Sequence, residues 1–444
     1  MSKKLTLWIS GKKDALPGDW VWITIGQIAS ALGFLTGMRI LTQYVSPGIM
    51  GTVSLLTGVA ALVTTTFFTP FLEAALRFYP DASRAGQVRL LRETINAFLL
   101  KTAKLLFPAL AVTVLFLFLA YRKKITFLVA LASLCGLLTV DLVKTKERNF
   151  LNASRRQKTL AAWLAMDAWA RFLAATATVL VFGSSAGTVL SGYFAGSLMV
   201  LICFYKKAGH PHASDRGAGD EALYAGIRRY ALPIIPMAMV GWITSLSDRY
   251  VIGALTGLEQ VGIYWAAYGL ASRPFLMAGG IIEQTLRPVY FNAVSSSDKV
   301  EEKKAFLAML SITVFACFCL VAIITMMRVE IAGLLLDKKY RSGVELMPWI
   351  ALGYAFLVIS YVFEKICYAY KKTKAVSLVQ TAGAVASLCI GIPLIYYYGV
   401  RGASIAVPIY FGFQLAVSAV AAKQVLKNVG RVGASSLPVL GDLP

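Results

Sequence analysis

Charged residues interrupt several long apolar runs of this chain. Arg39, Arg171, Arg249 and Arg273 lie inside such runs. A charged side chain in hydrocarbon costs roughly 3 kcal/mol on insertion scales, so such residues usually face a wet cavity or a partner of opposite charge. A guanidinium group also presents a planar fork of donors that suits two oxygens of a phosphate at once. We therefore predict that these four arginines line a cavity that binds an anionic group.

Two aspartates accompany these arginines. Asp167 precedes Arg171 by four residues, which places both side chains on one face of a helix, and Asp248 directly precedes Arg249. We predict that these aspartates line the same cavity, where they hold arginines in place or exchange protons. A simpler interpretation applies to Arg39 and Arg249, which lie near the ends of their runs and could extend their side chains to the membrane surface.

An internal repeat with a shift of about 210 residues is visible in the chain. Its clearest match is Glu-x-x-Leu-Arg, which occurs as Glu73 to Arg77 and again as Glu283 to Arg287. Arg39 followed by Gly51 also corresponds to Arg249 followed by Gly262. We predict that Glu73, Arg77, Glu283 and Arg287 form a candidate inner gate between two halves. The alternative is that each i, i+4 pair only stabilises its own helix.

Two prolines follow Tyr230 in the second half of the repeat. Pro233 and Pro236 each remove a backbone donor and clash with the preceding helical turn, so we predict a break or kink in this helix. Interrupted helices often line the substrate sites of secondary transporters.

The composition indicates the elements that must position these residues. Over 444 residues, 58% are hydrophobic and only 15% are charged, which exceeds the apolar content that a soluble core needs. Each apolar run is long enough to cross a hydrocarbon layer of roughly 30 Å. We predict an all-α polytopic membrane protein of about twelve transmembrane helices, at 20–45, 50–76, 93–120, 125–143, 159–182, 187–205, 228–254, 258–286, 305–327, 346–369, 375–396 and 400–422.

The positive charge lies mostly between these runs. A net charge of +22 could suggest nucleic-acid binding, but no single basic face is apparent, and we predict no nucleic-acid partner. If the N-terminus is cytoplasmic, inner loops hold most of the Lys and Arg residues, including Lys144, Lys146 and Arg148, as the positive-inside rule requires. The cluster Arg122–Lys124 on the outer side is an exception. We predict a multi-pass protein of the cell (inner) membrane with both termini cytoplasmic.

The repeat and the runs together predict the domain organisation. Six helices in each half keep the two copies in the same orientation, so the repeat is parallel about an axis along the membrane normal. The expected segments are a cytoplasmic N-terminal segment, an N-terminal six-helix lobe, a cytoplasmic connector, a C-terminal six-helix lobe and a cytoplasmic tail, over 1–19, 20–206, 207–222, 223–424 and 425–444.

Other chemistries lack their motifs. His210-Pro211-His212 has no further ligands around it, so we predict no metal site. The phosphate-binding pattern Gly-x-x-x-x-Gly-Lys-Ser/Thr is absent from the sequence, which excludes nucleotide hydrolysis by a P-loop. We therefore expect no cofactor, and the coupling ion, if there is one, stays undefined.

Several local motifs resemble one family of transporters. The stretch from Tyr230 to Ser272 contains Leu-Pro-x-x-Pro, Ser-x-x-Asp-Arg-Tyr and Val-Gly-Ile-Tyr, and the first half contains Met38-Arg39-Ile40-Leu41 and a turn from Ser46 to Gly51. These motifs resemble the polysaccharide (O-antigen type) flippases of the multidrug/oligosaccharidyl-lipid/polysaccharide exporter superfamily. The resemblance extends from Trp20 to about Ala422 and is most specific from Tyr230 to Ser272.

The resemblance implies a fold, a function and a set of partners. The fold is a V-shaped pair of six-helix lobes related by a pseudo-two-fold axis. The function is translocation of a polyprenyl-diphosphate-linked oligosaccharide, such as an undecaprenyl diphosphate conjugate, to the outer leaflet by alternating access, so the chain would be a transporter and not an enzyme. Its partners would be that substrate, membrane lipid and a polysaccharide polymerase or glycosyltransferases. Two alternatives remain, a cation-coupled multidrug exporter of the same superfamily and a membrane glycan polymerase or ligase.

Overall fold

The computed structural model describes residues 19–121, 125–205, 221–296 and 298–432. All regular secondary structure in these residues is helical, and no strand occurs among them. The predicted all-α polytopic class is therefore confirmed. The N-terminal segment up to residue 18, the Arg122–Lys124 cluster, connector residues 206–220 with His210 and His212, and the tail beyond residue 432 lie outside the described residues.

The described residues of the first half of the chain form seven α-helices. A short π-helical segment, Thr64–Phe68, joins the second to the third. The helices are α1 (Asp19–Tyr44), α2 (Pro47–Val63), α3 (Thr69–Arg84), α4 (Val88–Tyr121), α5 (Ile125–Ala153), α6 (Gln157–Phe182) and α7 (Ala186–Tyr205).

Seven further α-helices lie in the described residues from 221 onward. A 3₁₀ segment, Lys338–Leu346, precedes the sixth of them. The helices are α8 (Glu221–Ala231), α9 (Ile234–Thr256), α10 (Leu258–Ser295), α11 (Lys299–Met326), α12 (Arg328–Leu335), α13 (Met347–Ala369) and α14 (Thr373–Val432). Inside α14 the backbone is not helical at Gly399, where φ is 58° and ψ is −140°, so two helices meet there at a kink.

The predicted apolar runs coincide with one or two of these helices each. Among the described residues, nine segments are long and apolar enough to cross a membrane. The last of them, Thr373–Asn428, has 56 residues, which is enough for two crossings on either side of Gly399. The chain is therefore a multi-pass membrane protein.

The described residues fall into two compact units. The first contains the residues up to Val45 together with Val59–Ile235, and the second contains Ser46–Gly58 together with the residues from Pro236 onward. Most of α2 therefore belongs to the second unit, and α8 belongs to the first. The predicted lobes divide the chain at a single connector. They therefore place α2 in the N-terminal lobe and most of α8 in the C-terminal lobe, whereas the two units assign these helices the other way round. The pseudo-two-fold, V-shaped arrangement of the lobes stays a prediction.

Glycines allow close helix packing in the first unit. Gly33 and Gly37 of α1 lie directly against aromatic side chains of α6. On α7, Gly192 and Gly196 approach the backbone of α6 so closely that a methyl group on either would clash. Small residues four apart are typical of such interfaces, because helices in lipid associate mainly through van der Waals packing and hydrogen bonds.

Helix α8 packs through its apolar face on other helices of the first unit. Ile227 and Ala231 are fully buried in a cluster with residues of α3, α4 and α5. The ring of Tyr224 stacks on that of Phe98 at a centroid distance of 4.2 Å. This packing explains why α8 belongs to the first unit although it follows the connector.

Helices α10, α11, α13 and both ends of α14 form one buried apolar cluster of the second unit. Tyr290, Met309 and Cys367 are nearly fully buried in that cluster. Helix α11 begins at Lys299 because the carboxylate of Asp298 caps it. One oxygen of this carboxylate accepts hydrogen bonds from the backbone N–H groups of Val300 and Glu301 in the first turn.

The two glycines that match in the repeat meet in the second unit. A Cβ on Gly51 would lie 1.9 Å from the carbonyl oxygen of Leu258, and one on Gly262 would lie 1.9 Å from that of Pro47. The beginnings of α2 and α10 therefore approach each other to a distance that only glycine permits.

The structure corrects the assignment of three basic residues to a loop. Helix α5 continues to Ala153, beyond the predicted end at residue 143, and carries Lys144, Lys146 and Arg148. Lys144 is fully buried, and so is its neighbour Glu147. The charged side chains of this part of α5 bind polar or charged partners on α4 and α6. They are therefore compensated by neighbouring helices and do not require a loop exposed to water.

Candidate functional site

Arg249 lies on α9, half-buried inside the second unit. Its Nη1 donates to the hydroxyl of Ser54 at 3.1 Å, and its guanidinium lies 5.2 Å from the centre of the Tyr268 ring. The Nε atom is buried and forms no hydrogen bond within the described residues. Arg249 is thus fixed by a hydroxyl and an aromatic face, while part of its donor fork stays unused by the protein.

Asp248 does not bind the guanidinium of its neighbour. Its Oδ1 accepts a hydrogen bond from the backbone N–H of Arg249 at 2.8 Å, and its Oδ2 accepts one from the hydroxyl of Tyr264 on α10 at 2.5 Å. The predicted role of Asp248 as the residue that holds Arg249 therefore corresponds to a backbone contact and not to an ion pair. Asp248 also lines a small cavity with Ser387 and Tyr410.

A tyrosine pair supports the aromatic face beneath Arg249. The hydroxyls of Tyr268 and Tyr354 lie 2.7 Å apart, and their rings meet edge to face. Tyr354 in turn contacts the ring of Phe411 on α14. Because buried hydroxyls need partners, this pairing fixes the orientation of the ring that Arg249 covers.

Asp167 and Arg171 belong to a buried ionic network of the first unit. Lys144 donates to Asp167 at 2.5 Å and lies 3.0 Å from Asp141. Arg171 donates to Asp141 and lies 3.5 Å from Asp167, which Arg148 approaches at 3.9 Å. The predicted contact between Asp167 and Arg171 forms, but both residues also bind α5. Three cations and two carboxylates share the network, so its formal charge is positive.

The other two arginines lie on different elements. Arg39 is half-buried near the end of α1, and its carbonyl accepts a hydrogen bond from the hydroxyl of Thr42. Arg273 is exposed in the middle of α10. Arg39 and Arg171 lie in the first unit, and Arg249 and Arg273 in the second.

The two Glu-x-x-Leu-Arg motifs form different contacts. Glu283 binds Arg287 at 3.1 Å and also Lys365 of α13 at 2.6 Å. Arg77 instead pairs with Asp81 at 3.6 Å, and Glu73 is half-buried without an ion pair among the described residues. The i, i+4 pair therefore forms in the second motif and not in the first. The gate that these residues were predicted to form stays a prediction.

The helix break lies at the first of the two prolines. Helix α8 ends at Ala231, Leu232 and Pro233 form a turn, and α9 begins at Ile234. Pro236 lies in the first turn of α9, where its missing N–H removes no helical hydrogen bond. The unit boundary lies immediately before Pro236, so the break coincides with the change of unit.

Several residues that hold the predicted charges were not recognised in the sequence. Asp141, Lys144 and Arg148 are spaced three and four residues apart, so they share one face of α5. Their spacing indicates a shared charged face only when the predicted helix is extended beyond residue 143. Tyr264 is part of the Val-Gly-Ile-Tyr motif, but that motif does not indicate its contact with Asp248. Tyr354 carries no comparable signal, because a tyrosine in an apolar run is more often a packing residue.

A comparison with protein families gives one match. Residues 18–294, more than half of the chain, match the family described as polysaccharide biosynthesis protein. The chain belongs to this family. The resemblance inferred from the motifs of the sequence is thereby confirmed. Comparison with curated proteins gives no significant match.

Solved structures show which fold this family member has. An inward-facing multidrug resistance MATE family transporter of the MOP superfamily aligns with a TM-score of 0.69 at 12% identity, covering 93% of this chain and 96% of that chain. The lipid II flippase MurJ in an inward closed conformation gives a TM-score of 0.68 at 15% identity, covering 95% and 94%. A MATE structure in the bent conformation gives 0.62 at 13% identity, covering 98% and 99%. The polysaccharide biosynthesis protein therefore shares the fold of these membrane transporters.

Proposed function

We propose that this protein is a flippase that moves a polyprenyl-diphosphate-linked oligosaccharide from the cytoplasmic to the outer leaflet. A diphosphate and a hydrophilic glycan cannot cross hydrocarbon unaided, because both would lose their hydration. The fold shared with membrane transporters supports a path through the membrane, and membership of the polysaccharide biosynthesis family supports a glycan as the cargo.

The environment of Arg249 is the observation that carries the proposal. This guanidinium is held inside apolar helices by Ser54 and Tyr268, and it forms no ion pair with a carboxylate among the described residues. A fixed, partly unused donor fork is suited to a diphosphate, which offers oxygens at the matching spacing. The proposal also includes further contacts with the diphosphate, from Arg39, Arg171 and Arg273. Asp167 and Asp248 are the proposed acidic neighbours of these arginines.

The proposal is tested with purified protein in liposomes that contain a polyprenyl-diphosphate oligosaccharide labelled on its sugar with a fluorophore. Loss of fluorescence on adding a membrane-impermeant quencher measures how much label reaches the outer face. We expect Arg249→Ala to slow this transfer about tenfold or more, because a hydrogen bond to a charged group contributes about 1.5–3 kcal/mol. Arg249→Lys should restore little of the rate, since an ammonium group lacks the fork.

Arg84→Ala is the matched control, because Arg84 is exposed at the end of α3 and pairs only weakly with Asp81. It removes the same charge and should leave the rate unchanged. Equal rates for Arg249→Ala and the control would contradict the role of Arg249. If the reconstituted protein transports lipophilic cationic dyes but no glycan lipid, the chain is a multidrug exporter of the same fold and the flippase proposal is wrong.

A further inference from the structure

A buried carboxyl group lies in the second unit, apart from Arg249 and its partners. Glu364 of α13 is only 3% exposed. Both of its oxygens accept hydrogen bonds from the side-chain nitrogen of Gln380 on α14, at 2.9 and 3.0 Å. Among the described residues it forms no ion pair. Glu302, another buried carboxyl group of this unit, differs in that it binds the ammonium group of Lys299.

A second amide completes the polar site around Glu364. Gln414, from the part of α14 that follows Gly399, is fully buried and faces the same carboxyl group. Neither its side-chain oxygen nor its nitrogen forms a hydrogen bond of normal geometry in the described structure. Gly383 makes room for it, because a Cβ there would lie 2.5 Å from the Gln414 side-chain oxygen. An unsatisfied buried amide costs free energy, so Gln414 is a donor that an ionised Glu364 can recruit by a small rearrangement.

The remaining titratable groups near Glu364 do not neutralise it. Lys365 is adjacent in sequence, but its ammonium group binds Glu283 of α10 at 2.6 Å. An ionised Glu364 would therefore rely on amide donors alone in an apolar environment, and binding of a proton would remove that buried charge. The other groups that face the carboxyl are Tyr361, Tyr368 and Cys367 of its own helix.

The geometry favours a proton over a metal ion at this position. Gln380 presents its N–H groups to the carboxyl oxygens, and a metal ion would need oxygen ligands there. No group of three His, Cys, Asp or Glu side chains suited to a metal occurs among the described residues.

We propose that Glu364 is a proton-binding group of this transporter and that proton movement through it is coupled to transport. On release, the carboxyl O–H bond breaks, the proton passes to water, and the remaining carboxylate is stabilised by Gln380 and by rearrangement of Gln414. On uptake the same steps reverse. This inference rests on the proposed transport function and names an energy source for it.

The first test uses dicyclohexylcarbodiimide, an apolar reagent that modifies protonated carboxyl groups in membrane proteins. Wild-type protein in liposomes is treated at several pH values and the modified peptides are identified by mass spectrometry. We expect modification of Glu364 that decreases as pH rises. Glu302 is the internal control, because its carboxylate is similarly buried but binds Lys299 at 2.8 Å and the hydroxyl of Tyr370 at 2.7 Å. Absence of label on Glu364 at every pH would overturn the proposal.

The second test measures coupling in the fluorescent glycan-lipid assay. A pH gradient should accelerate transfer by the wild type several-fold and should have no effect on Glu364→Gln, which keeps the shape of the side chain but cannot release a proton. Glu364→Asp, which can still titrate, should recover part of the acceleration. Acceleration by a sodium gradient alone, or an unchanged response of Glu364→Gln to pH, would contradict the proposal.

The two proposals fail in different ways. Glycan transfer that no gradient alters would leave the flippase function intact and exclude Glu364 as a coupling group. If carbodiimide labels Glu364 with the expected pH dependence but no glycan lipid moves, proton binding stands and the proposed substrate is wrong.

Discussion

The charged residues within the helices are compensated in two distinct ways. In the first unit, Arg171 and Lys144 bind the carboxylates of Asp141 and Asp167, so each cation has an acidic partner. In the second unit, Arg249 rests on a hydroxyl and an aromatic ring. The Nε atoms of both arginines form no hydrogen bond among the described residues, but that of Arg171 lies 3.5 Å from a carboxylate oxygen of Asp167. Arg249 has no such ion pair among the described residues, so its charge is not already compensated by a carboxylate. We infer that Arg171 mainly organises its unit and that Arg249 is the better candidate for direct contact with an anion.

Asp167→Asn should destabilise the first unit. It would leave the three cations of the network with Asp141 as their one carboxylate, and removing one partner of a buried pair costs about 3–5 kcal/mol. We expect a clear fall in the midpoint of thermal unfolding of the detergent-purified protein. The matched control is Asp81→Asn, whose ion pairs are exposed and should contribute under about 1 kcal/mol. Equal midpoints for the two variants would show that the network adds no stability.

Tyr264→Phe should weaken the environment of Asp248. The variant removes the hydroxyl that donates to Oδ2 and leaves the carboxylate with the backbone N–H of Arg249. An unsatisfied buried acceptor costs about 1–3 kcal/mol, so the unfolding midpoint should decrease. Tyr398→Phe, at an exposed tyrosine of α14, serves as the control for loss of a hydroxyl. A larger effect of Tyr398→Phe would contradict this account.

At the scale of helices, the repeat places glycine where two helix beginnings approach most closely. Gly51 near the start of α2 and Gly262 near the start of α10 each lie against a carbonyl group at the beginning of the other helix. This reciprocal contact explains why the same residue type occurs at both positions of the repeat. The π-helical segment after α2 and the turn at Pro233 are two other local departures from regular helix near the points where the chain changes unit.

Gly262→Ala should disturb this contact, because a methyl group would lie 1.9 Å from the carbonyl oxygen of Pro47. Overpacking of this kind costs typically about 1–3 kcal/mol, and Gly51→Ala should behave similarly. Gly241→Ala on α9 is the control, since a Cβ there meets nothing within 4 Å. The unfolding midpoint of each variant checks the prediction, and an unaffected Gly262→Ala protein would refute the close approach.

Replacing both Pro233 and Pro236 by Ala should favour one continuous helix from α8 into α9. Because α8 packs in the first unit and α9 belongs almost entirely to the second, a stiffer connection should slow any motion that bends the chain there. We expect reduced glycan-lipid transfer with little change in membrane insertion or in the unfolding midpoint. Pro393→Ala, inside α14 and away from the change of unit, serves as the control. Unaltered transfer by the double variant would show that the break is incidental.

For the whole molecule, the helix order and the distribution of basic residues predict which turns face the cytoplasm. With a cytoplasmic N-terminus, the turns at Gly86, Arg155 and Lys371 lie inside. Inner turns are rich in Lys and Arg, whereas the turn at Gly183, predicted to lie outside, continues with two serines. The position of the termini and the inner-membrane location stay predictions until this orientation is measured.

Single cysteines introduced into a variant without the six native cysteines would test the orientation. A membrane-impermeant maleimide added to intact spheroplasts should label Ser184→Cys and should label Gln87→Cys only after the membrane is opened. The reverse pattern would invert the topology and place the predicted inner gate on the outer side.

Much of this molecule follows from the sequence alone. The long apolar runs determine where the long helices lie and their order along the chain, since hydrocarbon accepts only segments whose backbone groups are bonded internally. The count of about twelve membrane-spanning helices stays a prediction. The spacing of Asp167 and Arg171 predicts their contact, and the prolines predict the break after α8. These features are local, and a local pattern contains the physical information that they require.

Only the tertiary structure decides which partners the charges take. The contacts of Arg249 with Ser54 and of Glu364 with Gln380 join residues that are remote in sequence or lie on different helices. Even Arg77, four residues from a glutamate on its own helix, pairs with an aspartate one turn further on. A charge in an apolar helix must be compensated, but the helix that supplies the compensation is set by packing, which the local sequence does not specify.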